Sequence, residues 1–276
     1  MLKQRLLTAA ILLPLVIWGI LSLDNGHFAL MLGAFVIIGA WEWTRLAGLH
    51  SPLIRMLYCL VVGALLGGAW QLWFGTVTPI LMILLGSALV WWLIALIWVV
   101  RYPQAPWAES LAVKLLFGVW VLVMPWLALV ILRGDPAFGP YYVLGLMILI
   151  WLADTGAYFA GRRFGKHKLA PAVSPGKTRE GVWGALALTL LWSTGLAQWL
   201  QIEAQWLFVL LCMVTVLFSI LGDLSESMYK RQAGLKDSGT IFPGHGGVLD
   251  RIDSLTAAAP VFVFGLLLME RLRCAA

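Results

Sequence analysis

Long apolar stretches separated by short polar turns recur along the whole chain. A helix needs about 20 apolar residues to cross the hydrocarbon layer of a membrane, and nine stretches are close to that length. Their approximate ranges are 6–23, 28–47, 53–74, 77–100, 111–132, 140–160, 182–201, 205–222 and 254–272. The pattern therefore predicts an all-α, polytopic integral membrane protein with about nine transmembrane helices.

The composition supports this class, because 62% of the residues are hydrophobic and only 12% are charged. Orientation follows from the basic residues, which concentrate on the cytoplasmic side of membrane proteins. A cytoplasmic N-terminus leaves all but three of the 19 lysines and arginines on the inner side, the exceptions being Arg133, Arg271 and Arg273. We expect the cell (inner) membrane as the location. The net charge of +6 then reflects topology and anionic lipid or phosphate ligands, not nucleic acid.

Charged residues divide the chain into two regions. Residues 1–140 are almost uninterrupted apolar stretches and are predicted to form a scaffold. Residues 141–276 hold most of the polar segments and are predicted to be the catalytic region with cytoplasmic loops, within one integral membrane unit. Glu42, near the end of the second stretch, is expected at the membrane interface, with the bundle interior as the alternative.

The segment 222–253 carries five of the 13 acidic residues between two apolar stretches. Asp223 closes the eighth stretch, while Asp250 and Asp253 open the ninth and share one face of a helix because they are three residues apart. Carboxylates that converge repel one another, so a hard cation is their natural partner. Helix capping explains one of these acids but not all three. The segment predicts an Mg²⁺ site at Asp223, Asp250 and Asp253, and a second cation stays open.

The same segment contains groups that suit phosphate binding. Lys230, Arg231 and Lys236 supply charge-assisted hydrogen-bond donors. Asp237 is expected to pair with Lys236 or Arg231, or to orient one of them. These side chains predict an anionic ligand at the cytoplasmic side of the membrane.

A glycine-rich turn follows at residues 243–247. Gly246 and Gly247 permit unusual backbone angles and a close approach of backbone N–H groups to a ligand. His245 either contacts a phosphate or forms a hydrogen bond within the turn.

Two upstream segments add further candidates. Asp154 interrupts an apolar helix, which marks either a functional residue or a structural hydrogen bond to a neighbouring helix. Ser174 and Pro175 are expected to be the N-cap and first residue of the seventh helix. Lys177 and Arg179 lie beside this expected N-terminus, which would suit phosphate oxygens.

No Ser-His-Asp or Cys-His set is apparent, and one class of reaction needs none. A phosphate monoester is already ionised at neutral pH, because its second pKa is about 6. If such a group is the nucleophile, catalysis consists of aligning two phosphates and neutralising their charge, which metals, lysine and arginine accomplish.

The motif from Ser227 to Asp253 resembles the signature of the phosphatidate cytidylyltransferases, also called CDP-diacylglycerol synthases. It reads SMYKR, then KD after four residues, then PGHGGVLDRID. The segments around Asp154, Gly161–Lys168 and Ser174–Gly181 are also similar to that family. Tyr229 stands where an aliphatic residue or Phe is expected.

The resemblance implies a reaction of CTP with phosphatidate that yields CDP-diacylglycerol and pyrophosphate, with Mg²⁺. It also implies a homodimer with its active site on the cytoplasmic side. Catalytic roles fall on Asp223, Lys230, Arg231, Lys236 and Asp250. Substrate-binding roles fall on Asp154, Lys177, Arg179, Asp237, His245, Gly246, Gly247 and Arg251.

Three other functions are weighed against this one. A transporter fits the many spans and Asp154, but the polar cluster lies at one face rather than at the midplane. A CDP-alcohol phosphotransferase would carry D-G-x-x-A-R followed by G-x-x-x-D-x-x-x-D, a pattern that is absent. A non-catalytic lipid-binding scaffold does not account for the charges of segment 222–253.

Overall fold

The computed structural model describes residues 2–74, 76–104, 106–241 and 246–275, with side chains except at 2–9, 11, 106, 107 and 271–275. Within these ranges the chain forms nine α-helices, one short 3-10 helix (Pro106–Glu109) and one β-hairpin. The helices are α1 (Leu2–Ser22), α2 (Asn25–Leu46), α3 (Pro52–Trp73), α4 (Pro79–Arg101), α5 (Leu111–Arg133), α6 (Gly139–Phe164), α7 (Arg179–Trp199), α8 (Gln205–Gln232) and α9 (Leu249–Ala275). The strands of the hairpin are β1 (Lys168–Ala170) and β2 (Ser174–Thr178).

Seven helices in the described ranges are long and apolar enough to cross a membrane: α2, α3, α4, α5, α6, α8 and α9 through Glu270. This confirms an integral membrane protein built from helices. Each predicted apolar stretch coincides with a helix, and the described side chains of α1 form the shorter apolar stretch Leu12–Ser22. Helix α7 is not among the seven, because polar residues such as Gln198 lower its mean hydropathy.

Helix α5 forms the centre of the bundle. Its side chains from Val121 to Leu132 are all buried, because a helix that is apolar on every face packs on all sides. Helices α2 and α9 pack against it: Gly39 of α2 lies where an added Cβ would touch Leu122 of α5 and Leu249 of α9. The start of α9 is therefore held deep within the bundle.

Glycines bring the helices that carry the predicted acids into close contact. Gly222 of α8 faces the carbonyl of Asp253 on α9, and a Cβ at Gly222 would collide with it. Gly156 of α6 and Gly184 of α7 approach each other in the same way. Small residues at these crossings let the helix backbones touch, as is common in membrane bundles.

The prediction that the seventh helix opens at Ser174 is wrong. Ser174 and Pro175 belong to β2, which pairs antiparallel with β1. The N-cap is Thr178, whose hydroxyl oxygen accepts a hydrogen bond from the Gly181 N–H at 3.1 Å. Strands of three and five residues are too short to show an alternating apolar pattern. The sequence therefore gave no indication of a hairpin, whereas Ser followed by Pro is typical of a helix start.

Glu180 attaches the hairpin to the first turn of α7. Its carboxylate accepts a hydrogen bond from the His167 backbone N–H at 3.2 Å and lies 2.6 Å from Nδ1 of the His167 ring. The contact with the ring lowers the pKa of the Glu180 carboxyl to about 2. The carboxylate is therefore ionised at neutral pH, and the hairpin stays attached to α7.

Candidate active site

Lys230 joins the two helices that bound the charged segment. Its Nζ lies 3.2 Å from Oε1 of Glu226, one turn earlier on α8, and 2.7 Å from Oδ1 of Asp250 on α9. All three side chains are nearly buried, with at most 11% of their surface exposed. A buried cation between two carboxylates resists separation, because either partner alone would be left as an uncompensated charge.

Asp250 also holds the loop that connects α8 to α9. Its Oδ2 accepts hydrogen bonds from the Ser238 N–H and hydroxyl, both at 2.9 Å, and from the Gly247 N–H at 2.8 Å. Gly246 has a φ of +81°, and a Cβ there would collide with Oδ2 of Asp250. The glycine-rich turn is therefore folded around the Asp250 carboxylate.

Glu42 supplies a second buried carboxylate to the same loop, and only 3% of it is exposed. Its two oxygens accept hydrogen bonds from the backbone N–H groups of Val248 (3.0 Å) and Leu249 (2.9 Å), and Oε2 lies 3.1 Å from the Ser238 hydroxyl, whose single proton it shares with Asp250. These contacts satisfy N–H groups at the start of α9, as an N-cap would. The expected interfacial position is therefore wrong and the bundle interior is right, because Glu42 lies on the face of α2 that packs inward.

Lys177 and Asp223 form the other ion pair of the site. Lys177 Nζ lies 2.7 Å from Oδ2 of Asp223 and 3.5 Å from the Ile220 carbonyl, so strand β2 is attached to α8. The Ser227 hydroxyl donates to Oδ1 of Asp223 at 3.2 Å. The side chains of Lys177 and Asp223 are 25% and 30% exposed, so this pair is accessible to a ligand.

Two further acids, Asp253 and Asp154, interact electrostatically with members of these pairs. Asp253 is within electrostatic range of Asp223, Glu226, Lys230 and Lys177. Its Oδ1 accepts a hydrogen bond from the adjacent backbone N–H at 2.7 Å. The two ion pairs are therefore parts of one polar cluster at the α8–α9 contact.

Asp154 of α6 belongs to the same cluster. It lies within electrostatic range of Asp223 and Lys177. We call this set the α8–α9 cluster; its members are Asp154, Lys177, Asp223, Glu226, Lys230, Asp250 and Asp253.

The α8–α9 cluster contains five carboxylates and two ammonium groups, a formal excess of three negative charges. Carboxylate oxygens and an excess of negative charge suit a hard divalent cation. Across the part of the chain that the structure describes, no three Asp, Glu, His or Cys side chains are placed to hold a metal alone. Mg²⁺ commonly takes one or two carboxylates together with substrate phosphates, so the donor set fits that mode of binding.

Several predicted site residues lie outside the α8–α9 cluster. Arg179, Lys236 and Asp237 are exposed, and among the described side chains Asp237 pairs with neither Lys236 nor Arg231. Arg231 instead donates from Nε to the Val173 carbonyl at 3.3 Å, which supports the turn of the hairpin. Arg251 lines a separate apolar cavity, and His245 lies outside the described residues.

Sequence reasoning did not assign roles to Glu226, Ser238 and Glu42. The spacing of Glu226 and Lys230, four residues apart on one helix, is a signal that could have identified their pairing. Ser238 gave no signal. Glu42 was conspicuous as an acid in an apolar helix, but its partners are more than 190 positions away.

Together the fold and the site define an integral membrane protein with a partly buried cluster of acidic and basic side chains. The model of the cytidylyltransferase family matches residues 3–269. The chain is 45% identical over 266 residues to the phosphatidate cytidylyltransferase of Pseudomonas aeruginosa, which covers 95% of this chain and 96% of that protein. The enzyme of the same name from Haemophilus influenzae is 42% identical, and the match covers 96% of this chain and 98% of that protein. The one from Brucella suis is 34% identical, and the match covers 98% of this chain and 95% of that protein. The chain belongs to the cytidylyltransferase family.

Proposed function

We propose that this chain is a phosphatidate cytidylyltransferase, which transfers CMP from CTP to phosphatidate and yields CDP-diacylglycerol and pyrophosphate. The observation that carries the proposal is the α8–α9 cluster, in which two lysines and five acids meet between apolar helices. Such a site can hold nucleotide phosphates while acyl chains stay among the helices. The names of the relatives support the same reaction.

In the proposed reaction a phosphate oxygen of the lipid attacks the α-phosphorus of CTP. One P–O bond forms, the bond from the α-phosphorus to the bridging oxygen breaks, and pyrophosphate leaves with that electron pair. The attacking phosphate is already ionised, so no general base is required. Lys177 is the accessible cation of the α8–α9 cluster and is assigned to a substrate phosphate, in exchange for part of its contact with Asp223.

Mg²⁺ is proposed as the metal, and when bound it would neutralise charge on the phosphates. Asp223 and Asp253 are assigned to hold it, because neither oxygen pair is fully used by protein donors. Asp250 already accepts four hydrogen bonds, from Lys230, Ser238 and Gly247. We therefore assign Asp250 to holding the loop and Lys230 in position, and not to binding the metal directly.

The proposal includes an orientation and an organisation. All nine helices are assigned as spans with a cytoplasmic N-terminus, in the cell (inner) membrane, so that the α8–α9 cluster opens to the cytoplasm where CTP is present. Residues 141–276 carry the chemistry. Residues 1–140 form a scaffold, except that Glu42 also contacts the start of α9 beside the site. A homodimer is proposed from the family resemblance.

The deciding experiment uses purified protein in detergent or proteoliposomes with CTP, phosphatidate and Mg²⁺. We expect pyrophosphate release and CDP-diacylglycerol in equal amounts, and neither product when phosphatidate or CTP is left out. Failure to form both products, while the protein retains its helical content, would reject the proposed activity. Solute uptake by the same proteoliposomes without nucleotide turnover would favour a transporter.

A further inference from the structure

An apolar cavity of about 350 Å³ lies on the other side of α9 from the α8–α9 cluster. Helices α1, α2, α5, α6 and α9 form its walls, with side chains such as Val16, Leu32, Trp126, Met147 and Leu255. Nearly all of the lining is hydrocarbon. A polar ligand would find few partners there, so the cavity suits an apolar one.

Helix α9 separates the cavity from the α8–α9 cluster. Arg251, Ile252 and Leu255 line the cavity, whereas Asp250 and Asp253 belong to the cluster. The two faces alternate along a single helical turn. A molecule in the cavity is therefore within one turn of α9 from the acids of the cluster.

Helix α6 reaches the cluster differently, because its cavity-lining residues and Asp154 follow one another along one face of the helix. Val143, Met147 and Trp151 line the cavity, and the eight residue steps from the first to the last span about 12 Å of helix. Asp154, which lies in range of Asp223, follows three residues after Trp151. On both α6 and α9, an acid of the cluster therefore lies within about one helical turn of a residue that lines the cavity.

Among the described side chains that line the cavity, Arg251 is the charged one. It lies in the first turn of α9, at the end where the walls reach the cluster. A cation at one end of an apolar cavity matches a molecule with an anionic head and a hydrocarbon tail. Phosphatidate, the lipid of the proposed reaction, has that chemistry.

We propose that this cavity holds an acyl chain of the lipid substrate, with the lipid phosphate directed past Arg251 toward the α8–α9 cluster. The inference rests on the proposed function. Lipid tails are as apolar as the cavity wall, so transfer of the chain from the bilayer gains little free energy. The cavity therefore fixes the position of the phosphate, and its contribution is expected in turnover of long-chain substrates.

Leu32→Trp tests this by filling the cavity, and Leu60→Trp is the matched control, because Leu60 is 61% exposed on α3 and does not line it. We expect Leu32→Trp to lower kcat/KM for phosphatidate with 16-carbon chains about tenfold. With six-carbon chains it should change less than about twofold, and the KM for CTP should stay constant. The control should match the wild type. An equal loss for both chain lengths, or no loss, would overturn the proposal.

A second measurement on the wild-type protein covers the case in which Leu32→Trp does not fold. Phosphatidate with a photoreactive diazirine in mid-chain is crosslinked without CTP, and the adducts are located by mass spectrometry. We expect adducts on cavity residues of α6 and α9, prevented by unlabelled phosphatidate but not by phosphatidylcholine. Adducts on outward-facing residues such as Leu60, or equal competition by both lipids, would overturn the assignment. Because this experiment needs no turnover, cavity adducts in a protein without pyrophosphate release would reject only the proposed reaction.

Discussion

Oε2 of Glu42 lies 2.9 Å from the backbone nitrogen of Leu249, a contact that joins α2 to the start of α9 across 207 positions. The carboxylate also meets the positive end of the α9 dipole, where negative charge is favourable. Asp250 follows in the first turn of α9 and Asp253 at the start of the second. The position of both acids therefore depends on a residue of the N-terminal half of the chain.

Glu42→Gln is expected to lower turnover about tenfold or more and to destabilise the protein by about 2 kcal/mol, because an amide cannot replace two charge-assisted acceptors. The loss should appear in kcat, with the KM for CTP nearly unchanged, since Glu42 acts through the start of α9. Pyrophosphate release and thermal unfolding in detergent measure the two effects. Glu109→Gln, an exposed carboxylate distant in sequence from the charged segment, is the control. Wild-type kinetics in Glu42→Gln would contradict a positioning role.

Asp250→Asn is expected to reduce CTP-dependent turnover at least about 100-fold while the protein still inserts in the membrane. The substitution removes the charge that faces Lys230 and places an amide N–H₂ near donors that need an acceptor. Pyrophosphate release measures the activity, and circular dichroism checks the helical content. Near-normal activity would show that the loop keeps its position without this carboxylate.

Chelation is expected to abolish turnover, and added Mg²⁺ to restore it. Asp223→Asn and Asp253→Asn should each raise the Mg²⁺ concentration for half-maximal activity about tenfold, because each removes one carboxylate ligand. Titration of Mg²⁺ at constant CTP measures this shift, with Glu109→Gln as the reference. Full activity in excess chelator would exclude the proposed metal.

Tyr229→Phe is expected to stabilise the protein by about 1 kcal/mol with no change in turnover. Tyr229 is 0% exposed, and its ring packs against Trp43 and Phe117 at centroid distances of 5.2 and 5.3 Å. Its hydroxyl has no hydrogen-bond partner in the described part of the structure, so Phe would keep the packing and remove a desolvation cost. A higher unfolding temperature checks this, and Tyr141→Phe, at an exposed position, is the control. A lower unfolding temperature would indicate a partner for the hydroxyl.

Local sequence patterns predicted some residues of the candidate site but not their partners. The charges of segment 222–253 identified Asp223, Lys230 and Asp250, and the structure joins Lys230 to Asp250 directly. Lys177 was also identified, as a residue beside the N-terminus of the seventh helix, and it does precede the Thr178 N-cap of α7. Its actual partner, Asp223, became apparent only from the hairpin. Exposed Lys236 shows the reverse case, since a basic residue near a site looks the same in sequence whether or not it reaches the site.

The sequence by itself determined the class of the protein and the position of its helices, because crossing a membrane requires a local length of apolar residues. It also determined the family, because the signature is a contiguous spacing of charged residues and glycines. Only the tertiary structure decided which face of each helix turns inward, and hence the contacts of Glu42 with the start of α9 and the separation of Arg251 from Asp250. The reason is that an apolar helix in a membrane shows little difference between its faces, so glycine crossings and buried ion pairs select the packing.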